Sequence, residues 1–310
     1  MAIPTRVIKR RIKSIRSTRK IMKAMELVAA SKMRKATQLT LGTRPYAQAI
    51  QDLTHEIRRM LNNPHHELLI GRAVPAGTPL KTLLVVLASD RGLCGGFNSQ
   101  IIKKSLEFLL TRGSDQVSIA TVGRRAERVV RRTNLPLLAA FPSMANAPSF
   151  DRARPIGEFL VQQFVSGAFD RIFISYTDFK SALIQIPMTV QILPIIPEAE
   201  IPVAKAPEGD EWGTDDDLTK REPEESEILF EPTPDNVLKE LLPRMLDMQI
   251  YQAILESAAS EQSARMMAMR SAGDAAQDML GDLTLTLNQA RQATITREIS
   301  EISAGKAAIE

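Results

Sequence analysis

Mostly apolar residues recur at every seventh position over the first forty residues of the chain. Two such rows lie side by side, one of Ile8, Ile15, Met22, Ala29 and Ala36 and one of Thr18, Met25, Lys32 and Leu39. A seven-residue repeat is typical of a helix that packs against a partner helix in a coiled coil. Pro4 suits a first helical turn, and Gly42 and Pro45 indicate a bend before the apolar spacing resumes. The pattern predicts one long helix over residues 5–60.

The last third of the chain carries the same repeat more strongly. One row consists of Leu241, Met248, Leu255, Met269, Ala276, Leu283 and Ala290, and the other of Met245, Ala259, Met266, Leu280 and Leu287. Gln252, Gln262 and Gly273 interrupt the rows, and no proline follows Pro243. We predict that the two terminal helices pair with each other antiparallel. The alternative is a coiled-coil arm through which two copies of the chain dimerise.

The predicted seam between the helices is mixed in composition. Alanine, methionine and glutamine stand where a stable free coiled-coil dimer would carry uniform leucine and isoleucine. Such a seam packs adequately without being optimised for strength. This favours a helix pair that a partner protein encloses.

The residues between these repeats alternate between short apolar runs and amphipathic stretches. Strands are predicted over residues 81–89, 117–122, 171–176 and 184–193, and helices over residues 98–111, 123–132 and 156–166. Alternation of this kind favours a parallel-type sheet. The expected fold class is therefore α/β with long helices: an antiparallel coiled coil of the N- and C-terminal helices plus a central Rossmann-like α/β domain.

Three segments follow from these patterns. Residues 1–62 form the N-terminal coiled-coil helix, residues 63–235 the α/β domain and residues 236–310 the C-terminal coiled-coil helix. Within residues 198–231, 13 Asp and Glu face only 3 Lys and Arg, and prolines are frequent. We expect an acidic, weakly structured excursion over residues 197–230.

Charge is distributed unevenly although the net charge is only +4. Residues 1–40 hold 12 Lys and Arg against one acid, Glu26. Three interpretations remain open: a solvated helix face, a surface for an acidic partner, or a surface for nucleic acid. Nucleic acid is the least favoured because stacking aromatics are absent from this stretch. Organelle transit peptides, which are removed by cleavage, are also Arg-rich. Here the seven-residue periodicity runs unbroken into residue 39, so we do not expect a removed targeting segment.

Residue counts disfavour several kinds of site. A single cysteine, Cys94, rules out an internal disulfide and a cysteine zinc cluster, and it favours a reducing compartment. With three histidines, His55, His65 and His66, a histidine metal site or catalytic triad is not expected. No run of about 18 apolar residues is present, so we expect no membrane insertion.

One glycine-rich motif follows the first predicted strand. Residues 91–98 read Arg-Gly-Leu-Cys-Gly-Gly-Phe-Asn and precede a predicted helix, where an α/β fold places a phosphate loop. The spacing fits neither dinucleotide nor P-loop fingerprints, which favours a tight strand-to-helix turn. Cys94 near a helix N-terminus could act as a nucleophile, but no histidine lies nearby in the sequence. The acidic run 215–217 lacks the residue order of an EF-hand.

Five stretches resemble the sequence blocks of a known family. They are residues 20–35 (KIMKAMELVAASKMRK), the triplet Arg44-Pro-Tyr46, residues 89–96 (SDRGLCGG), residues 260–270 (SEQSARMMAMR) and residues 288–302 (NQARQATITREISEI). In length and order these blocks resemble those of the γ subunits of bacterial F-type ATP synthases. Residues 100–235 are similar to that family only in their pattern of elements.

The resemblance implies a function without catalysis of its own. The chain would be the central rotor shaft, coupling ion flow through a membrane ring of c subunits to conformational cycling of the catalytic β subunits. Its partners would be the α and β subunits of the head, the ε subunit and the c ring, with no cofactor, at the cytoplasmic face of a bacterial cell membrane. The α/β domain would be the foot, nearest the ring.

The resemblance also implies roles for particular residues. Three positions match a polar catch that hydrogen-bonds a β-subunit loop: Arg291, Gln292 and Thr296. Three others match the stretch that faces an acidic lever loop of β: Met25, Lys32 and Arg34. The turn after the first strand of the foot comprises Arg91, Gly92, Cys94, Gly95 and Gly96. No catalytic, metal or cofactor-binding residue is implied.

The excursion over residues 197–230 departs from many bacterial members in its length. Photosynthetic members carry a regulatory insertion here, and those of chloroplasts hold a redox cysteine pair that is absent from this chain. Thiol control is therefore not expected, while an acidic brake on rotation stays open. The function class also stays open at this point, because a nucleotide-binding α/β enzyme with coiled-coil dimerisation arms has the same pattern of elements.

Overall fold

The computed structural model describes most of the chain. The described residues are 5–60, 66–72, 75, 77–113, 115–133, 135–195 and 233–307. The acidic excursion predicted over residues 197–230 lies outside them.

Two long helices flank an α/β region. Helix α1 spans Thr5–Met60 with Pro45 inside it, and helix α5 spans Pro234–Ala307. Between them lie three shorter helices: α2 (Phe97–Thr111), α3 (Arg124–Val130) and α4 (Phe150–Val165). The predicted fold class is confirmed.

The central sheet has five strands in the order β3-β2-β1-β4-β5. The strands are β1 (Lys81–Leu87), β2 (Gln116–Val122), β3 (Leu137–Phe141), β4 (Arg171–Phe179) and β5 (Gln185–Leu193). The first four are parallel, and β5 runs antiparallel to β4 because a short turn joins the two. Strand β3, in a stretch rich in alanine, was not among the predicted strands.

Both faces of the sheet are covered, and β1 shows why its sequence is continuously apolar. Leu83, Val85 and Leu87 point into the core that contains residues of α4 and α5, whereas Leu84 and Val86 point into the core that contains residues of α2 and α3. A strand whose alternate side chains meet apolar layers on both sides carries no polar face. Burial of all five side chains below 4% exposure anchors the sheet.

The described chain divides into two compact units, and each long helix contributes to both. Unit 1 contains residues 1–30 and 265–310, and unit 2 contains residues 31–264. In unit 1, Ile8 and Ile12 pack with Leu280, and Leu283 and Leu287 lie beside them. Farther along, residues 16–26 of α1 share a groove with residues 270–277 of α5. The two helices of unit 1 are therefore antiparallel.

Within the described residues, no helix combines the length and the apolar character needed to cross a membrane.

Candidate functional site

Toward its end, α5 presents a polar group that is exposed in the described part of the chain. Arg291, Gln292 and Thr296, the residues matched to a polar catch, all lie on α5 in unit 1 with exposed side chains. Gln292 and Thr296 are four residues apart and so share a helix face. Together the three offer guanidinium, amide and hydroxyl donors to a partner.

Exposed aliphatic side chains accompany this polar group. Ile295, Ile299 and Ile302 are 47%, 59% and 73% exposed, and their spacing places them along one side of the helix. Every residue from 291 to 304 is exposed. A helix end that leaves isoleucines in water offers an apolar surface for a partner to cover.

Basic side chains line a groove between the helices of unit 1. It measures about 500 Å³ and is lined by Arg16, Arg19, Lys20, Lys23, Glu26, Arg270, Gly273, Asp274 and Gln277. Five cations therefore face two carboxylates, one of which, Glu26, pairs with Lys23 at 2.9 Å. Met25, a predicted partner contact, is half-buried on α1 in the same unit. The groove gives this part of the coil a positive surface.

The two other predicted contacts on α1 belong to unit 2. Lys32 is half-buried, and its Nζ donates a hydrogen bond to Asn146 Oδ1 at 2.8 Å. Arg34 is exposed. In this conformation the Lys32 ammonium is therefore held by the loop that follows β3, a contact that the repeat pattern gave no reason to expect.

The glycine turn after β1 is closed by its own polar groups. Ser89 Oγ donates to Arg91 O at 2.6 Å, and the Ser89 backbone N–H donates to Asn98 Oδ1 at 3.0 Å. Asn98 Nδ2 donates in turn to Cys94 Sγ at 3.0 Å. Cys94 is only 2% exposed, so solvent-borne reagents do not reach its thiol. These contacts are those of a structural turn.

The three glycines of this turn differ in backbone conformation and in the space available beside them. Gly95 has φ of +53°, a backbone conformation that favours glycine. A Cβ on Gly92 would stand 2.7 Å from Arg125 Nη2, whereas Gly96 is the N-cap residue of α2. Arg91 is exposed at the mouth of the turn.

A second turn, after β2, holds the first one in place. Gly123 has φ of +99°, and a Cβ there would collide with the carbonyl of Ala88 at the end of β1. Asp90 Oδ1 accepts a hydrogen bond from the Arg124 backbone N–H at 3.0 Å. The sequence placed Gly123 at the start of a predicted helix but did not reveal its contact with β1, although a lone glycine between a strand and a helix is a signal for such a constraint.

The most unusual part of unit 2 is a stretch of α5 that is covered on every side. Residues 251–263, here called the enclosed segment, are all buried. Yet seven of these thirteen residues are polar: Gln252, Glu256, Ser257, Ser260, Glu261, Gln262 and Ser263. A helix buried all round is usually apolar. Buried polar groups require hydrogen bonds, so this segment is where specific contacts are expected.

Several of these contacts reach the region at the end of β4 and the turn before β5. Ser260 Oγ donates to Thr177 O at 3.2 Å, and Ser263 Oγ donates to Ala182 O at 2.7 Å. Gln185 Nε2 donates to Ser263 Oγ at 3.4 Å. From α1, Thr43 Oγ1 donates to Gln252 Oε1 at 2.9 Å. The enclosed segment is therefore hydrogen-bonded both to the β4–β5 region and to α1.

Buried ionisable groups surround the same place. Lys180 Nζ pairs with Asp178 Oδ2 at 2.8 Å, and Asp178 is 1% exposed. Burial, reinforced by the carboxylates of Glu256 and Asp178, raises the pKa of Tyr176 far above its usual range. The phenol therefore stays neutral at physiological pH and behaves as a structural group.

The enclosed segment lies at the sheet edge where cofactors bind in related folds. In open α/β sheets, ligands lie beyond the carboxyl ends of the strands where the strand order reverses, here between β1 and β4. Ala258 and Ala259 of α5 cluster there with Ala145, which follows β3, and with Phe179, which ends β4. Within the described part of the chain, no group of three or more His, Cys, Asp or Glu could hold a metal ion.

Comparison with known families matches nearly the whole chain to one family model. The model described as ATP synthase matches residues 4–309. The ATP synthase gamma chain of Heliobacterium modesticaldum is 40% identical over 304 residues, covering 98% of this chain and 98% of that relative. The ATP synthase gamma chain of Pelotomaculum thermopropionicum is 38% identical over 305 residues, covering 98% and 99%.

Solved structures resemble the fold at lower sequence identity. A chain of the Euglena gracilis mitochondrial ATP synthase, in an OSCP/F1/c-ring assembly, superposes with a TM-score of 0.64 at 17% identity and covers 98% of this chain and 94% of its own length. A chain of the Tetrahymena thermophila central stalk and c ring gives a TM-score of 0.56 at 24% identity, covering 81% and 99%. At these identities the likeness concerns the fold.

Proposed function

We propose that this chain, which belongs to the ATP synthase gamma chain family and is thus the central stalk subunit of an F-type ATP synthase, acts as a rotor shaft. It would couple ion flow through a membrane ring of c subunits to the conformational cycle of three catalytic β subunits. Turning an asymmetric shaft presents a different face to each β in turn. Differences in contact free energy then make the three nucleotide sites unequal.

One observation carries this proposal. The first and last segments of the chain pack antiparallel through Ile8, Ile12 and Leu280, while residues 291–304 of α5 lie wholly exposed. A two-helix rod supports itself by a narrow apolar seam and leaves its other faces for partners. A long exposed helix end is a liability in a free protein and is useful where a ring of subunits encloses it.

The exposed polar group at that end is proposed to contact β. Arg291, Gln292 and Thr296 would hydrogen-bond a β-subunit loop, with the guanidinium contributing the strongest, charge-assisted bonds. All three are exposed among the described residues, so a partner can reach them without displacing neighbouring side chains there.

Positive charge lower on the coil is proposed to attract an acidic lever loop of β. Met25 lies in the unit whose groove carries five cations, and Lys32 and Arg34 extend the basic character of α1. Exposed ion pairs contribute only about 0–1 kcal/mol each, so such a surface attracts the loop without locking it. For Lys32 the proposal requires its ammonium to leave Asn146 during part of the cycle.

The α/β domain is proposed to be the foot of the shaft. In this proposal residues 63–235 contact the ε subunit and the c ring, and residues 1–62 and 236–310 form the coil. The chain is then a peripheral subunit at the cytoplasmic face of a bacterial cell membrane. It has no catalytic residues or cofactor of its own and binds no nucleic acid.

Co-expression with α and β subunits tests the proposal. The chain should co-purify with both in a complex that hydrolyses ATP, and removing residues 288–310 should lower coupled activity. If the chain does not co-purify with α and β, the proposal fails.

Two control measurements distinguish the proposed rotor function from a nucleotide-binding enzyme and from a homodimeric scaffold. Equilibrium dialysis of the free chain with ATP or NAD should give no tight binding, whereas tight binding would favour an α/β enzyme. Sedimentation of the free chain should give no stable coiled-coil dimer, whereas a dimer would favour a homodimeric scaffold.

A further inference from the structure

A shaft that turns inside a ring must not twist freely at the point where it leaves its foot. This requirement rests on the proposed function, and it directs attention to the enclosed segment of α5, residues 251–263. That segment is covered on all sides, carries seven polar residues and lies in one compact unit with the sheet.

Apolar packing alone is poorly suited to resisting rotation of a helix about its own axis. The hydrophobic effect has no preferred direction, and although Tyr251, Ile254 and Leu255 pack into the apolar core, the side chains next to the serines, Ala258 and Ala259, are small. A hydrogen bond, in contrast, needs both a distance and an angle. Directional contacts therefore add to the side-chain packing in fixing the rotational setting of such a helix.

We infer that the hydrogen bonds of Ser260 and Ser263 to the β4–β5 region form a torsional anchor that transmits torque between the foot and α5. Both hydroxyls donate to main-chain carbonyls, at Thr177 and Ala182. Those carbonyls are held by the sheet and by the hairpin turn, in which the Ser181 and Lys180 backbone N–H groups both donate to Ile184 O. The acceptors are thus fixed.

The geometry makes these bonds sensitive to small rotations. A turn of about 20° about the helix axis moves a hydroxyl that lies roughly 4 Å from the axis by more than about 1 Å. Such a displacement takes both hydrogen bonds, the 2.7 Å bond from Ser263 and the 3.2 Å bond from Ser260, out of their favourable distance and angle. Gln185 Nε2, at the start of β5, donates to Ala182 O at 2.8 Å and to Ser181 O at 3.2 Å, and it makes a longer contact of 3.4 Å with the Ser263 hydroxyl oxygen.

Two further contacts tie the other helix into the same anchor. Thr43 of α1 donates to Gln252 of the enclosed segment, and Lys32 of α1 donates to Asn146 of the loop after β3. Directional contacts from Ser260, Ser263, Thr43 and Lys32 therefore join the two helices and the sheet.

Angular fluctuation of the stalled complex tests this anchor. The complex with α and β is immobilised by its head and stalled with a non-hydrolysable ATP analogue, and a probe is attached to the foot through Lys103→Cys, an exposed position on α2. Cys94 is buried and should not compete for the label. The Ser260→Ala, Ser263→Ala double variant should broaden the variance of the probe angle about 1.5- to 2.5-fold, since it removes both hydroxyls that donate to the β4–β5 region.

A matched variant separates torsional anchoring from general stability. Ile254→Val removes a buried methylene from the same segment, where Ile254 is 4% exposed, without touching a hydrogen bond. Its variance should equal that of the unmodified chain, although its thermal unfolding temperature falls. Equal broadening by both variants, or by neither, overturns the inference.

Two further measurements test the anchor if the double variant does not assemble, and they distinguish its failure from failure of the proposed function. If the double variant fails to assemble, Gln185→Leu, which leaves α5 unchanged, must broaden the variance, and an unchanged variance then counts against the anchor. The unmodified complex is first given ATP: a foot probe that does not rotate contradicts the proposed function, whereas rotation with unchanged variance in the serine variant contradicts the anchor alone.

Discussion

Two strand-to-helix turns depend on single residues whose backbone or side chain has little freedom. In the turn after β2, Gly123 combines a positive φ with contact to the Ala88 carbonyl, so that the carboxyl ends of β1 and β2 approach closely. In the turn after β1, Asn98 bonds both Ser89 and Cys94. These residues shape the sheet edge, whereas the side chains of Arg291, Gln292 and Thr296 are exposed on α5.

Gly123→Ala should destabilise unit 2 by about 3 kcal/mol or more, because a Cβ adds a collision to an unfavourable φ. The free energy of unfolding from urea titration measures this. Gly42→Ala is the matched control: a Cβ there meets nothing within 4 Å and Gly42 lies inside α1, so a gain of about 0.5–1 kcal/mol is expected. Equal effects of the two substitutions would show that the turn tolerates a side chain.

Arg291→Ala should lower coupled ATP synthesis roughly tenfold or more, since a charge-assisted hydrogen bond contributes about 1.5–3 kcal/mol. Folding should be unchanged because Arg291 is exposed. Proton-driven synthesis in reconstituted vesicles measures the effect, with Arg297→Ala, also exposed on α5, as the control. Loss of soluble expression by Arg291→Ala would assign the residue a folding role.

At the residue scale, the sequence predicted a role for Arg291 but not the backbone constraint on Gly123. The role of Arg291 came from a resemblance to family blocks, and it stays a prediction. Gly123 was predicted only as the start of a helix, because one glycine after a strand forms no repeat or fingerprint. Its constraint arises from Ala88, which follows β1 about 35 residues earlier in the chain and contacts Gly123 only after folding.

At the scale of elements, the seven-residue rows predicted the buried positions of α5 well. Met245, Met269, Ala276 and Leu280 are all buried, as the rows require. The enclosed segment was not anticipated, because a periodic pattern counts apolar residues, treats Gln252 as an interruption and passes over Ser260, which lies outside both rows. Their burial depends on the sheet and α1, which lie far away in sequence.

Leu280→Ala should destabilise the coil of unit 1 by about 2–4 kcal/mol, because it leaves a cavity beside Ile8 and Ile12. Helix unfolding followed by circular dichroism measures the effect. Leu285→Ala, five residues on and 60% exposed, should change the unfolding free energy by less than about 0.5 kcal/mol. A Leu280→Ala chain that unfolds like the Leu285→Ala chain would contradict the seam.

The packing of α4 against α5 should respond to pH through Asp247. Burial raises the pKa of Asp247, an effect that nearby Arg154 opposes and Glu158 supports. A raised folded-state pKa means that the folded chain binds the proton more tightly than the unfolded chain. The stability contributed by protonation is therefore present below the unfolded pKa and lost as pH rises through the folded pKa.

Asp247→Asn should accordingly raise the thermal unfolding temperature at pH 7, with an advantage that shrinks as pH falls and the native carboxyl becomes protonated. Asp278→Asn, at an exposed position of α5, serves as the control and should give no such trend. Differential scanning fluorimetry from pH 3 to pH 8 supplies the comparison. An advantage that grows on acidification would reverse the sign and refute the assignment.

At the scale of the whole molecule, the chain begins and ends in one unit and places its sheet in the other. Terminal repeats with an α/β middle were sufficient to predict this fold class. Charge asymmetry alone left nucleic acid, solvent and an acidic partner open for residues 1–40. The order of the five sequence blocks, together with 40% identity to a gamma chain over 98% of the length, favoured the rotor.

Rotation of the foot against an immobilised head tests the central claim most directly. A probe on Lys103→Cys, in a complex of this chain with α and β subunits, is observed while ATP is added. We predict continuous rotation in one direction, with three pauses in each turn that correspond to the three β subunits. ATP hydrolysis that proceeds while the probe stays still, or that is equally fast without this chain, would contradict the account.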